Sequence, residues 1–177
     1  MDVARRNIEK LQGKISIRSQ PGRGTTFLVE LPLTLAVMDG LIVGVADQRY
    51  VVPALQVRQC FRPRAAMISA IDGLDGLLQW RGKFMPVVSL RRFFHAGEPK
   101  SIDESLGIIV SIGDEQLCLL ADEVLRKQEI VIKPLCAPFN ELPGLGGASI
   151  LPDGRVAFIL DINSLVRLTS APTARAA

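Results

Sequence analysis

From Thr34 to about residue 168, apolar residues come in short runs rich in valine, isoleucine and leucine. The runs are broken by the turn signals "ADQR", "IDGLDG", "WRGK", "GDEQ" and "PDGR". Such spacing predicts an all-β barrel or sandwich. Strands are expected near 41–46 and 50–53 around a turn at Asp47–Arg49. Others are expected near 77–80 and 84–89 around a turn at Arg81–Lys83. Gly82 and Gly154 are expected at the positive-φ position of tight turns. Only "VSLRRFF" and "DINSLVRL" read as short helices.

The segment 1–33 has another texture. Ala4, Ile8 and Leu11 share one helical face over 2–12, with Asp2 as N-cap and Gly13 as the stop. "KISIRS" alternates, "QPGRG" is a turn, and "TTFLVELPL" resumes as a strand with Phe27, Val29 and Leu31 on one face. A helix and one hairpin bury too little surface to stand as a domain. The small, polar end "TSAPTARAA" is expected to be a disordered tail.

The β-rich part contains an internal repeat. "LIVGVADQRYVVPALQV" (41–57) aligns with "IIVSIGDEQLCLLADEV" (108–124), which sets Leu41 over Ile108 and Asp47 over Asp114 in the turn. "LQWRGKFMPVVSLRRFF" (78–94) aligns with "ILPDGRVAFILDINSLV" (150–166), which sets Gly82 over Gly154 and Val87 over Ile159. Each half therefore reads as hairpin, connection, hairpin, short helix. Short strands buried on both sides close into barrels that leave no exposed edge. The expectation is two small five-stranded barrels, one over about 38–95 and one over about 105–168.

Composition narrows the function. Apolar residues are 48% and charged residues 22%, enough for a packed core. The net charge of +3 is spread out, and aromatics are only 5%, so a nucleic-acid partner is not expected. Cys60, Cys118, Cys136 and the single histidine, His95, form no ligand pattern, so no metal site is expected. Isolated cysteines fit a reducing compartment. "MDVARRNIEK" lacks the apolar stretch of a signal peptide, and no run reaches the roughly 18 residues of a membrane span. A cytoplasmic protein without direct membrane insertion is expected. No Ser–His–Asp, Cys–His or paired-carboxylate set points to a catalytic residue.

The remaining candidate chemistry is "PGRGTTF" (21–27). Backbone N–H groups at Gly22, Gly24, Thr25 and Thr26 can face a phosphate. The stretch lacks the lysine that follows the glycines of a P-loop, so alone it is a weak nucleotide signal.

"LLQWRGKFMPVVSLRRFF", "DEVLRKQEIVIKPL" and "LPGLGGASILPDGRVAFILDINSLV" resemble the CheW-like domains of bacterial chemotaxis, with Asp122 and Asp161 where that family usually has aspartate. The likeness covers about 36–168. The segment running from "MDVARRNIEK" through "GTTFLVELPL" into "MDGLIV" is similar to the end of the ATP-binding domain in chemotaxis histidine kinases of the CheA family. The resemblance implies a GHKL-type ATPase remnant over 1–33, a CheW-like double barrel of SH3-like type over 34–168, and a tail over 169–177. It implies a regulatory module that binds the CheW adaptor and the cytoplasmic tip of chemoreceptors and controls the kinase through "LPLTLAVMDG". A free-standing CheW-type adaptor and a truncated ATP-dependent kinase stay open as alternatives. Gly22, Gly24, Thr25 and Thr26 would be an incomplete remnant of an ATP site. The Asn-rich helix and the DxG aspartate that bind ATP and magnesium in the complete kinase are missing, so the chain is expected to be inactive alone. His95 is read as an exposed linker residue rather than the family's phospho-acceptor. The adaptor surface is expected within 40–95, with Arg81 the position to test.

Overall fold

The computed structural model describes residues 14–20, 22, 24–30, 37–71, 74–135 and 142–170. The expected helix over 2–12, the junction 31–36 and the tail from 171 onward lie outside the described residues. The chain divides into two units, 1–36 and 37–177.

In the first unit, β1 (Lys14–Gln20) and β2 (Gly24–Glu30) form an antiparallel hairpin. Ile17 faces Phe27 and Ile15 faces Val29, which follows the alternation of the sequence. The turn runs through Gly22, whose φ of +77° costs a glycine nothing.

The second unit is mainly β. Its strands are β3 (Val37–Val45), β4 (Gln48–Pro53), β5 (Val57–Phe61), β6 (Ile68–Ser69), β7 (Leu77–Trp80) and β8 (Lys83–Ser89), followed by a helical turn at Leu90–Phe93. Then come β9 (Leu106–Ile112), β10 (Glu115–Ala121), β11 (Glu123–Val131), β12 (Leu145–Ile150) and β13 (Val156–Leu160), and a helix at Ile162–Ser170. Ser89 caps the first helix by accepting from the Arg92 N–H at 3.4 Å, and Asp161 caps the second by accepting from the Ser164 N–H at 3.3 Å.

The two sheets do not coincide with the two halves of the repeat. One sheet has the order β11-β3-β4-β13-β12, the other β5-β9-β10-β8-β7-β6. Each half contributes its first hairpin to the sheet that holds the rest of the other half. Barrels built from 38–95 and from 105–168 separately are therefore not the units that form. The repeat itself is obeyed in the registers. Val43 pairs with Tyr50 and Val124. Its counterpart in the second half, Val110, pairs with Leu117 and with Val57. Val51 pairs with Ile159 as Cys118 pairs with Val87, both in parallel. A register shift falls between Val57 and Gln59 and again between Val124 and Arg126. In the first sheet, Lys133 and Ala148 exchange two backbone hydrogen bonds of 2.8 and 2.9 Å, which bring the chain after β11 back to β12.

The exchange explains why the strands are buried on both faces. Ile42, Val51, Ile130, Ala157 and Ile159 fill one sheet, and Leu78, Met85, Val87, Ile109 and Cys118 fill the other. Alternate residues of the same strands, among them Val43, Val45, Val52, Ile108, Val110, Leu117 and Leu119, meet between the sheets with Leu90, Ile162 and Leu165. A half on its own would lack both its strand partners and half of this core.

Two turn expectations resolve differently. Gly82 and Gly154 take φ of +78° and +79°, as their turns require. The first hairpin turns at Ala46–Asp47 rather than over Asp47–Arg49, because Gln48 already pairs with Val45. Ala46 sits at φ +51°, and its N–H is held by the Asp122 carboxylate at 2.7 Å.

Candidate functional site

The β7–β8 turn builds a basic, aromatic face. Phe61 of β5 and Trp80 of β7 meet with ring centroids 4.5 Å apart. The next residue, Arg81, takes φ +48° and lays its guanidinium carbon 5.7 Å from the Trp80 ring centroid. Beyond Gly82, Phe84 stands 62% exposed on β8, paired with Gln79 and so on the other side of the strand pair from Trp80 and Lys83. A depression of about 290 Å³ beside the Trp80 ring is lined by Arg58, Gln59, Trp80, Arg81, Lys83, Ile109 and Gln116, three cations and no carboxylate. Arg58 is fixed there by donating from Nε to Ser111 Oγ at 2.5 Å. Positioned cations around the Trp80 ring, at a turn that also exposes Phe84 on its other side, suit a partner surface that offers carboxylates and an apolar seat.

A second depression, about 510 Å³, is lined by Ala46, Asp47, Arg91, Lys100, Asp122 and Glu123. Its central charges are paired with each other. Arg91 donates from Nε and Nη2 to the Asp122 carboxylate at 2.8 and 2.7 Å, and Asp122 also accepts from the Ala46 N–H. Burial raises the Asp122 pKa, but the bonds from Arg91 and Ala46 and the positive charges of Arg91 and Lys100 prevail and hold it below the ordinary range. The same bond raises that of Arg91. Bidentate pairing of this kind is a structural clasp.

The sequence-predicted residues fall in separate places. Gly22, Gly24, Thr25 and Thr26 lie on the β1–β2 hairpin. A Cβ added at Gly22 or Gly24 would meet nothing within 4 Å, and the Thr25 hydroxyl is engaged with Ser19 Oγ at 3.0 Å. The described part of this unit is the one hairpin. Among those residues no group of three or more His, Cys, Asp or Glu could hold a metal ion. His95 is exposed in the turn after the first helix, at φ +52°. Asp161 serves as the helix cap, and Asp122 as the clasp. Arg81 alone of the candidates lies on the basic, aromatic face. Sequence reasoning passed over Phe61, Trp80 and Arg58, which share that face, and Phe84, which the same turn exposes on its other side. The signal present was Phe84 itself, an aromatic at an outward position of an alternating strand.

The family model described as "CheW-like domain" matches residues 39–170. The chain belongs to this family. The CheW-like chain also matches the C-terminal regulatory region of chemotaxis protein CheA from several bacteria. It is 38% identical to CheA of Rhizobium meliloti (strain 1021) over 168 residues, covering 94% of this chain and 22% of the relative. It is 40% identical to CheA of Cereibacter sphaeroides over 162 residues, covering 90% of this chain and 24% of the relative. The CheW-like chain thus spans under a quarter of the length of these relatives. Among solved structures, scaffolding protein TtCheW from Thermoanaerobacter tengcongensis shares the fold, with a TM-score of 0.64 at 22% identity, over 76% of this chain and 93% of that one. Among the described residues no helix is long and apolar enough to cross a membrane.

Proposed function

We propose that this chain is the regulatory end of a chemotaxis histidine kinase, a coupling module that holds a CheW-type adaptor and a receptor tip and passes their state to the kinase domain. In this reading each sheet, with its exchanged hairpin, is an SH3-like barrel, and the β1–β2 hairpin is the last piece of a GHKL-type ATP-binding domain. ATP and magnesium belong to the rest of the kinase. The protein works in the cytoplasm, in a two-component phosphorelay.

One observation carries the reading. The alignment to CheA of Rhizobium meliloti, at 168 residues, is longer than the segment 37–177 and so takes in the β1–β2 unit. A kinase's regulatory end has that arrangement, whereas the scaffold neighbour covers only 76% of the chain. The basic, aromatic face supplies the surface for the adaptor, which fits a module whose described residues offer no catalytic set.

The test is to mix the purified chain with the CheW adaptor of the same organism and, separately, to titrate it with ATP-magnesium. A stable complex with no nucleotide binding is the expected result. Tight ATP binding without a complex overturns the proposal.

A further inference from the structure

The two halves of the second unit are joined covalently once, through residues 96–101, and non-covalently everywhere else. Hairpin β3–β4 is sealed by β11 and β13 of the other half, and hairpin β9–β10 by β5 and β8. Gly97 to Ser101 are all exposed. Hydrogen bonds anchor both ends of this connection: Ala96 N–H to the Arg91 carbonyl at 2.8 Å and Arg91 Nη1 to the Glu98 carbonyl at 3.2 Å at one end, and at the other Ser101 Oγ to Glu104 Oε2 at 2.9 Å, with the Ser101 carbonyl accepting from Glu104 N–H and Ser105 Oγ.

We propose that residues 96–101 are a hinge through which two copies of this chain exchange halves, the first half of each copy closing on the second half of the other. The partner is a second copy because the surface each half offers is already complementary to this sequence in every strand pair and core contact. Exchange replaces each intramolecular contact by the same contact between copies. What differs is the conformation of the hinge and the entropy of joining two chains. Within one chain the hinge keeps the complementary half at high effective concentration, so the single chain prevails while the hinge can bend back. Gly97, at φ +92°, is part of that bend. A hinge too short to reverse leaves the exchanged dimer as the remaining way to complete both sheets.

The Arg91–Asp122 clasp marks the exchange, because Arg91 lies in the first half and Asp122 in the second. An Arg91→Asp chain carries two facing carboxylates, and an Asp122→Arg chain two facing guanidinium groups. A dimer of one with the other by exchange restores both pairs, one in the native sense and one reversed. A dimer formed surface to surface restores neither.

Two experiments on the full chain test the proposal, both after unfolding in guanidinium and refolding at high concentration. Deleting Glu98–Lys100 removes up to roughly 10 Å of reach. Light scattering on the sized fraction is expected to give twice the 19.3 kDa of one chain. A monomer, or no folded protein, overturns the proposal. In the second experiment, Arg91→Asp and Asp122→Arg chains carrying distinguishable tags are refolded together and separately. With equal amounts of the two chains, mixed dimers are expected to make up nearly all dimers, against the half that random pairing gives, and dimers of any kind are expected to be scarce when either chain is refolded alone. Mixed dimers at the random proportion, or monomers only, overturn it.

Discussion

Arg91 and Asp122 join the two halves of the repeat, with guanidinium nitrogens 2.8 and 2.7 Å from the carboxylate oxygens, and the Ala46 N–H reaches the same carboxylate at 2.7 Å. One side chain thereby ties the first helical turn, the β10–β11 corner and the β3–β4 turn. The clasp exists once. Where 41–57 aligns with 108–124, the counterpart of Asp122 is Leu55, which is 92% exposed.

Removing the Asp122 charge should therefore destabilise the fold in a pH-dependent way. Its folded pKa lies below the unfolded value of about 3.9, so its contribution is complete above that value and is lost as pH falls through the folded one. Asp122→Asn is expected to cost about 1.5–3 kcal/mol at neutral pH, the scale of hydrogen bonds to a charged group. Urea unfolding of both proteins should show that difference intact from pH 7 to pH 5 and shrinking below about pH 4, as the native carboxylate protonates. A difference independent of pH down to pH 2 would contradict this assignment.

Gly107 is paired with Phe61 across β9 and β5, and a Cβ there would come within 2.6 Å of the Phe61 ring. Phe61 is also the ring that meets Trp80. Gly107→Ala should push Phe61 aside and disturb the aromatic face, at a cost of about 1–3 kcal/mol for an overpacked site. Trp80 is the only tryptophan, so its fluorescence reports the change directly. Unchanged emission together with unchanged stability would show that the ring gives way freely.

Strand existence, turn glycines and both short helices were legible because burial on alternate faces and the tight turns are local demands. The repeat was legible in the offsets between Val43 and Val110 and between Val87 and Ile159. The exchange of hairpins was not. Pairing Val51 with Ile159 rather than with Val87 leaves the same apolar pattern in both strands, so nothing in the pattern says which half supplies the partner. The clasp was hidden for a related reason, since Arg91 and Asp122 are far apart in the chain and meet only through that exchange. Phe84 was visible as an exposed aromatic, but the meeting of Trp80 with Phe61 and Arg58 depends on how β5 and β7 come together.

The cysteines should separate by reactivity. Burial pushes the Cys118 thiol up to about 12, and its side chain is fully enclosed within the second sheet. Cys60 is exposed on β5, with burial raising its pKa as well. The thiolate is the nucleophile. In a Cys136→Ser background, a disulfide reagent at pH 8 is expected to titrate Cys60 in the native protein and Cys118 only after unfolding. Reaction of both thiols at one rate would mean that the sheet opens readily.

The face around Arg81 gives the most direct separation of binding from stability. Phe84 is 62% exposed, so Phe84→Ser should change stability by no more than about 0.5 kcal/mol. Arg81→Glu likewise removes an exposed cation whose ring contact is weak at a wet site. If a CheW-type adaptor wraps the β7–β8 turn, Phe84 on one side and the cations on the other are its anchors. Phe84→Ser should then weaken the complex by roughly 30-fold, the equivalent of about 2 kcal/mol, and Arg81→Glu at least tenfold. Because the depression holds Arg58, Arg81 and Lys83 without a carboxylate, the Arg81→Glu loss should also shrink as salt is raised. Calorimetric titration with the adaptor at two salt concentrations, beside a thermal melt of each variant, reads both quantities. If both variants bind as the parent does, Arg81 is an ordinary turn residue and the adaptor docks on another surface.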